Sequence, residues 1–371
     1  MPVSPGQAQD IAEFVARAFQ EGELRLLAKL VTMLQRGIDA PDWRLQQLAN
    51  IDALTREFAG EFGKFSEKAA ADLLGAVEDM YNLGATSGAL DLSEVLPRPA
   101  AISSPARLAA VRGIASEATG VLQKASPTIL RAVADQYQEV IARSTAAALT
   151  GQTQKEAVQS AVNDLFGRGI RGFRDSAGRQ YGLSDYVQMA TRTATAKSLL
   201  QGHDDTMLAN GHDLTVVIPG PRPCDICDRW ARAILSISGS TPVGELRMSS
   251  AISGRADVTV RVSGSLADAR RAGWSHPNCR CGKKPYFPGV TRAPQRPAYS
   301  PEEYAAQQRQ RTLEKEIREA KTRKAIAMDP AAEKESGALV ASRQRKLRDH
   351  LEENSFLKRQ YDREQLVSPT S

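Results

Sequence analysis

Aromatic residues make up only 5% of this 371-residue chain and hydrophobic residues 42%. That is thin for a single large core, although the length suffices for two or three domains. Extended helices around one compact module are therefore expected. No run of about 18 apolar residues occurs, so a membrane-spanning helix is not expected. The opening MPVSPGQAQDIAEF lacks both the basic and the apolar segment of a secretory signal, and the chain reads as soluble and not secreted. The histidines His203, His212, His276 and His350 do not place two on one helical turn, as zinc proteases require. A Gly-x-Ser-x-Gly nucleophile elbow is missing, and so is a phosphate loop ending in Gly-Lys-Ser/Thr. The stretches Ser238-Gly239-Ser240 and Ser263-Gly264-Ser265 read as turns. Cysteine is confined to Cys224, Cys227, Cys279 and Cys281, all in one stretch. A clustered set of this kind marks a site.

Charge is unevenly spread. Residues 1–164 hold 15 Lys and Arg against 20 Asp and Glu, 165–290 hold 17 against 10, and 291–371 hold 17 against 13. The central and C-terminal basic excess makes an acidic partner such as nucleic acid conceivable, with a solvated surface as the plainer explanation.

Apolar residues recur at three- and four-residue steps from Ile11 to Gln35 and again from Trp43 to about Gly84, which predicts two long amphipathic helices. Pro97, Pro99 and Pro105 make Leu92–Pro105 a linker. Helix resumes over Ala106–Leu149. Thr153 and Glu156 form a capping box for a helix over 153–166. A Gly/Arg-rich turn at 167–179 precedes a helix with Tyr186, Met189, Ala190 and Thr193 on one face, running to about Leu208. Then the pattern changes: Asp213–Ile218, Ala233–Ile237 and Asp257–Val262 are short and β-branched, as strands are, and Ser265–Arg271 reads as a short helix. Beyond Pro297 the chain turns charge-rich, and Pro301–Ala327 and Leu339–Leu366 form a solvated helical tail broken near Asp329-Pro330. The expected fold is mainly α, with long N-terminal helices (1–92), a further helical region (106–210), a small α+β cysteine-knotted module (211–290) and a charged helical tail (299–371).

The best-defined constellation is Cys224-Asp-Ile-Cys227 followed, after 51 residues, by Cys279-Arg-Cys281, with His276 just ahead of the second pair. Two such pairs, joined by intervening strands, can complete a tetrahedral site, for which zinc is the expected metal. Disulfide pairing or free thiols are the alternatives, the former wherever the surroundings are oxidising. Five donors compete for four places. The four cysteines are the preferred set and His276 the alternate ligand. A set closed at four leaves no position for substrate, so the site reads as a structural staple.

Arg168, Arg171, Arg174 and Arg179 interleave with Phe166, Phe173 and Tyr181, the composition of a phosphate-contacting surface, or of a turn whose aromatics enter the core. Trp230 and Trp274 flank the cysteine pairs and are expected to pack over them. His203-Asp204-Asp205 could be drawn as an acid/base or metal cluster; a solvated helix face is the expected reading. No catalytic residues are assigned.

Gly178-Arg179, Tyr186-Val-Gln-Met189, Arg192-Thr193, Gly211-His-Asp-Leu214, Pro223-Cys224-Asp-Ile-Cys227 with Trp230, Trp274-Ser-His276-Pro-Asn-Cys279-Arg-Cys281 and Tyr286-Phe-Pro288-Gly289 occur in an order and spacing that resembles the phage minor capsid proteins of the Mu F-like group, minor capsid protein 2 type. Arg311-Thr-Leu-Glu314-Lys-Glu-Ile317-Arg318 is similar to the segment that such proteins carry after the cysteine module. The resemblance is strongest over about 175–325. Family members often have His where Cys281 stands, a swap that suits a metal ligand. The resemblance implies a non-enzymatic head protein present in few copies, in the virion interior after assembly in the host cytoplasm. Its implied partners are portal and coat or scaffold proteins, with packaged double-stranded DNA as a further candidate, and it implies a part in assembly, packaging or delivery. Rival readings are a capsid-maturation protease, a treble-clef zinc nuclease, and a DNA-binding module with no capsid role.

Overall fold

Helical periodicity dominates the computed structural model, which describes residues 3–93, 95, 99–148, 152–167, 170–174, 180–276, 279–292 and 299–366. In chain order the elements are α1 (Gln9–Gln35), α2 (Trp43–Ala49), α3 (Ile51–Ser93), α4 (Ser104–Ala148), α5 (Gln154–Leu165), β1 (Arg171–Arg174), β2 (Gln180–Gly182), α6 (Leu183–Ala209), β3 (Leu214–Ile218), α7 (Asp225–Arg229), β4 (Ile234–Ser236), β5 (Gly244–Met248), β6 (Val258–Ser265), α8 (Leu266–Arg271), β7 (Gly282–Pro285), α9 (Pro301–Ala325) and α10 (Pro330–Glu353). The mainly helical expectation holds. None of the helices described is long and apolar enough to cross a membrane.

The chain forms two units. One comprises Met1–Phe14, Ala71–Thr119 and Met189–Tyr304, the other Val15–Ala70, Gly120–Gln188 and Ala305–Ser371. In the second unit, α1 buries Leu24, Leu27, Leu30, Val31 and Leu34 on one face. The indole of Trp43 donates to the Leu34 carbonyl at 2.9 Å, fixing the turn between α1 and α2. The capping box of α5 forms as expected: the Glu156 backbone N–H donates to Thr153 Oγ1, and the Glu156 carboxylate accepts from the Thr153 N–H. The break near Asp329-Pro330 is a helix start. Asp329 caps α10 by accepting from the Ala332 N–H at 2.8 Å, and Pro330 occupies the first turn, where its missing N–H costs nothing. The last helix therefore begins earlier than the sequence pattern suggested. Leu313, Ile317 and Leu347 pack together, so the charged tail has an apolar seam of its own.

In the first unit a five-stranded sheet has the order β5-β6-β4-β3-β7. Every pairing is antiparallel except β4 with β6. Of the three strands expected from sequence, all form. β5 and β7 were not anticipated, because Gly-Glu-Leu-Arg-Met and Gly-Lys-Lys-Pro carry little β-branched signal. Beside β7, Val3 makes a two-bond antiparallel bridge to Lys283, at 2.9 Å for each bond.

The sequence pattern ended the second helix at Gly84, yet α3 runs on to Ser93. The glycines there are contact residues rather than breakers. A Cβ on Gly84 would drive into the Leu199 carbonyl of α6, one on Gly202 into the Tyr81 carbonyl of α3, and one on Gly88 would crowd Thr206 and the His203 carbonyl. The two backbones touch, which only glycine allows. Gly202→Ala or Gly84→Ala is expected to destabilise this unit by about 1–3 kcal/mol through overpacking. Gly75→Ala, where an added Cβ meets nothing within 4 Å, should instead leave it unchanged or stabilise it by about 0.5–1 kcal/mol. Chemical denaturation of the three variants checks the contrast.

Candidate metal centre

Cys224 caps the short helix α7, and Cys227 follows within it, so both sulfurs lie on one helical turn. The second pair is delivered by the turn after α8. Gly273 and Ser275 take left-handed φ values of 91° and 59°, reversing the chain so that His276, Cys279 and Cys281 lead into β7. Pro277 and Asn278 lie outside the described residues. Cys227, Cys279 and Cys281 are buried in one cluster with Val217, Leu235, Leu266, Ala269 and Trp274, against which Cys224 and Trp230 pack. Both tryptophans therefore cover the cysteines, as the sequence suggested.

Cys224 Sγ lies 3.2 Å from His276 Nε2, and Cys227 Sγ lies 3.4 Å from Cys279 Sγ. Two triples of donor atoms, each mutually within 4.8 Å, overlap here: Cys224, Cys227 and His276, and Cys227, Cys279 and Cys281. Cys227 belongs to both. Backbone N–H groups point at three of the sulfurs: Cys227 N–H at Cys224 (3.4 Å), Cys281 N–H at Cys279 (3.4 Å) and Gly220 N–H at Cys281 (3.5 Å). Such donors favour thiolate over thiol. All four cysteines are free thiols. A tetrahedral zinc with Zn–S bonds of about 2.3 Å sets its sulfurs about 3.8 Å apart; each triple by itself suits such an ion, but the four cysteines preferred from the sequence do not form one mutually close group, since Cys224 is grouped with His276 and not with Cys279 or Cys281.

The electrostatics agree. Hydrogen bonds from Cys227 and Cys281 pull the Cys279 thiol down to about 3, and the same Cys279 contact pushes Cys227 far above its usual value. Cys281 is drawn down by Cys227 but raised more by Cys279 and by burial, to about 12. The cluster thus favours a first thiolate at Cys279, and further ionisation calls for a cation to offset the charge. It could hold a metal ion.

The family model described as "Phage minor capsid protein 2" matches residues 3–352. The chain belongs to this phage minor capsid protein family. No curated protein and no solved structure matches it.

Behind the cysteines this minor capsid protein carries a buried polar belt that sequence reasoning took for a solvated face. His203, Asp204 and Lys283 are 0%, 3% and 0% exposed. The segment of α6 bearing these residues packs against both α3 and β7, which removes its water and gives each charge a partner in protein. His203 Nε2 lies 3.2 Å from Asp91 Oδ2, Asp205 accepts from the Tyr81 hydroxyl at 2.5 Å, and Asp204 pairs with Lys283, with Arg270 3.8 Å away. Burial pulls the Lys283 ammonium below its usual range, with Asp204 opposing that shift. Burial is the largest influence on Asp91 and opposes its ionisation, but the bond to His203 together with further favourable charges holds the carboxyl low. The one sequence signal for the pair was a lysine two residues past Cys281.

Asp213 was likewise missed. It accepts from Ser236 Oγ (2.6 Å), the Ser238 N–H (2.7 Å) and Thr241 Oγ1 (2.5 Å), which ties the turn at Ser238-Gly239-Ser240 to the start of β3. Arg192 pairs with Glu13 at 3.2 Å, and Thr193 Oγ1 donates back to the Met189 carbonyl at 2.8 Å. Of the arginines considered for phosphate contact, Arg171 and Arg174 lie in β1, which pairs with β2. Arg168 and Arg179 lie outside the described residues.

Because both donor triples share Cys227, Cys227→Ala should abolish zinc retention. His276→Ala and Cys281→Ala should each leave some; zinc per chain after dialysis, read by plasma emission, checks this. Removing one partner of the buried pair, as in Lys283→Met, should cost about 3–5 kcal/mol, and replacing both, Lys283→Met with Asp204→Leu, should recover most of it. Denaturant unfolding reads the difference.

Proposed function

We propose that this protein is a minor head component of the Mu F-like kind, non-enzymatic, acting beside the portal in head assembly, DNA packaging or DNA delivery. The observation that carries the reading is the family match over nearly the whole chain, residues 3–352. In this reading zinc, held by Cys224, Cys227, Cys279 and Cys281 with His276 as the alternate ligand, staples the sheet unit. Two overlapping donor triples, Cys224 with Cys227 and His276 and Cys227 with Cys279 and Cys281, support it. A closed ligand set offers structure rather than catalysis. The portal and the coat or scaffold proteins are the partners, and the basic central region, including Arg171 and Arg174, faces packaged double-stranded DNA.

The test is co-expression with the portal and coat proteins of the same phage, followed by gradient purification of procapsids and mass spectrometry. The expected result is co-sedimentation at low copy number that is lost when the portal is omitted. Free protein absent from particles would sink the reading and make nuclease and coat-protease assays the next step, with His276→Ala as the control variant.

A further inference from the structure

The sheet of the first unit has two edges, and they are treated differently. At β7 the edge carries the bridge to Val3. At the other end, β5 pairs only with β6 among the described residues, so one side of its backbone has no strand partner among them. Along β5 the side chains alternate: Glu245 and Arg247 are exposed, while Leu246 and Met248 are half-buried against Val260, Val262 and Ile234. Val243, just before the strand, is 66% exposed. An open edge of this kind is a template for strand addition unless its side chains forbid it.

We propose that β5 is a docking edge for β5 of a second copy of this chain, paired antiparallel about a two-fold axis at Leu246. The charge pattern selects this occupant. In that register Glu245 of one copy stands opposite Arg247 of the other, and the same pair repeats across the axis. Opposite charges facing across strands attract, and like charges in that position repel. A parallel in-register pairing would set Glu against Glu and Arg against Arg. The antiparallel register also satisfies the backbone whichever residues point outward. If Gly244, Leu246 and Met248 do, Gly244 pairs with Met248 of the other copy and Leu246 with its own equivalent; if Glu245 and Arg247 do, they pair with each other. Leu246 and Met248 of both copies then extend one apolar layer on the inner face. Among the described residues Arg247 makes a long ion pair, 3.8 Å, with Asp257, and its side chain is 81% exposed, so it can reach a neighbour. Two-fold contacts of this kind are self-limiting and give dimers, not filaments.

Sedimentation equilibrium of the full-length chain tests the proposal by charge swapping. The unaltered chain should dimerise. Glu245→Arg sets Arg against Arg at both pairs and Arg247→Glu sets Glu against Glu, so each variant alone should dimerise at least about tenfold more weakly. Mixed in equal amounts they should form a heterodimer, and the double variant Glu245→Arg with Arg247→Glu should dimerise like the unaltered chain. Heterodimer recovery would also show that both single variants are folded. A chain that stays monomeric at its highest soluble concentration, single variants that associate as the unaltered chain does, or a mixture that yields no heterodimer would overturn the proposal.

Discussion

Contact between two helix backbones, with no side chain separating them, governs the sheet-bearing unit. Gly84 and Gly88 on α3 meet Gly202 and its neighbours on α6. Once the axes are this close, polar groups on α6 lose their water and must find partners in protein. That is why Ser198 donates to the Val77 carbonyl at 2.6 Å and why His203, Asp204 and Asp205 all have partners. A wider crossing would admit water and remove the need for the belt.

The belt in turn locates the cysteine module. Lys283 belongs to β7, two residues past Cys281, and its ammonium is held by Asp204 on α6. The strand that delivers the second cysteine pair is thus fixed through a side chain on one end and through the Val3 bridge on its edge. The first pair depends on different restraints: the Cys224 cap of α7 and the packing of Trp230 and Trp274. The sulfurs meet because two separately anchored segments converge.

Much of this was legible in the sequence, for physical reasons that also explain the failures. Long helices announced themselves because their buried stripes repeat every three or four residues, and the Thr153–Glu156 cap and the two cysteine pairs are signals local enough to survive without a fold. Gly84 was misread because a glycine that ends a helix and one that admits a neighbouring backbone look the same in one dimension. His203-Asp204-Asp205 looked solvated because their partners Asp91, Lys283 and Tyr81 lie far along the chain. β7 hid because Lys283 is a charge in a strand, tolerated only through Asp204. Which donors group around Cys227 depends on how α7 and the turn after α8 converge, and spacing alone cannot supply that.

The Val3 bridge bears on the order of events during synthesis. It joins the start of the described chain to a strand almost three hundred residues later, and α3 likewise waits for α6. Contacts so distant along the chain carry a loop-closure cost before they give any return, and they form late. Until α6 is made, the Gly84 and Gly88 face of α3 lacks the helix it packs against, and an apolar face left uncovered during folding is open to the wrong partner.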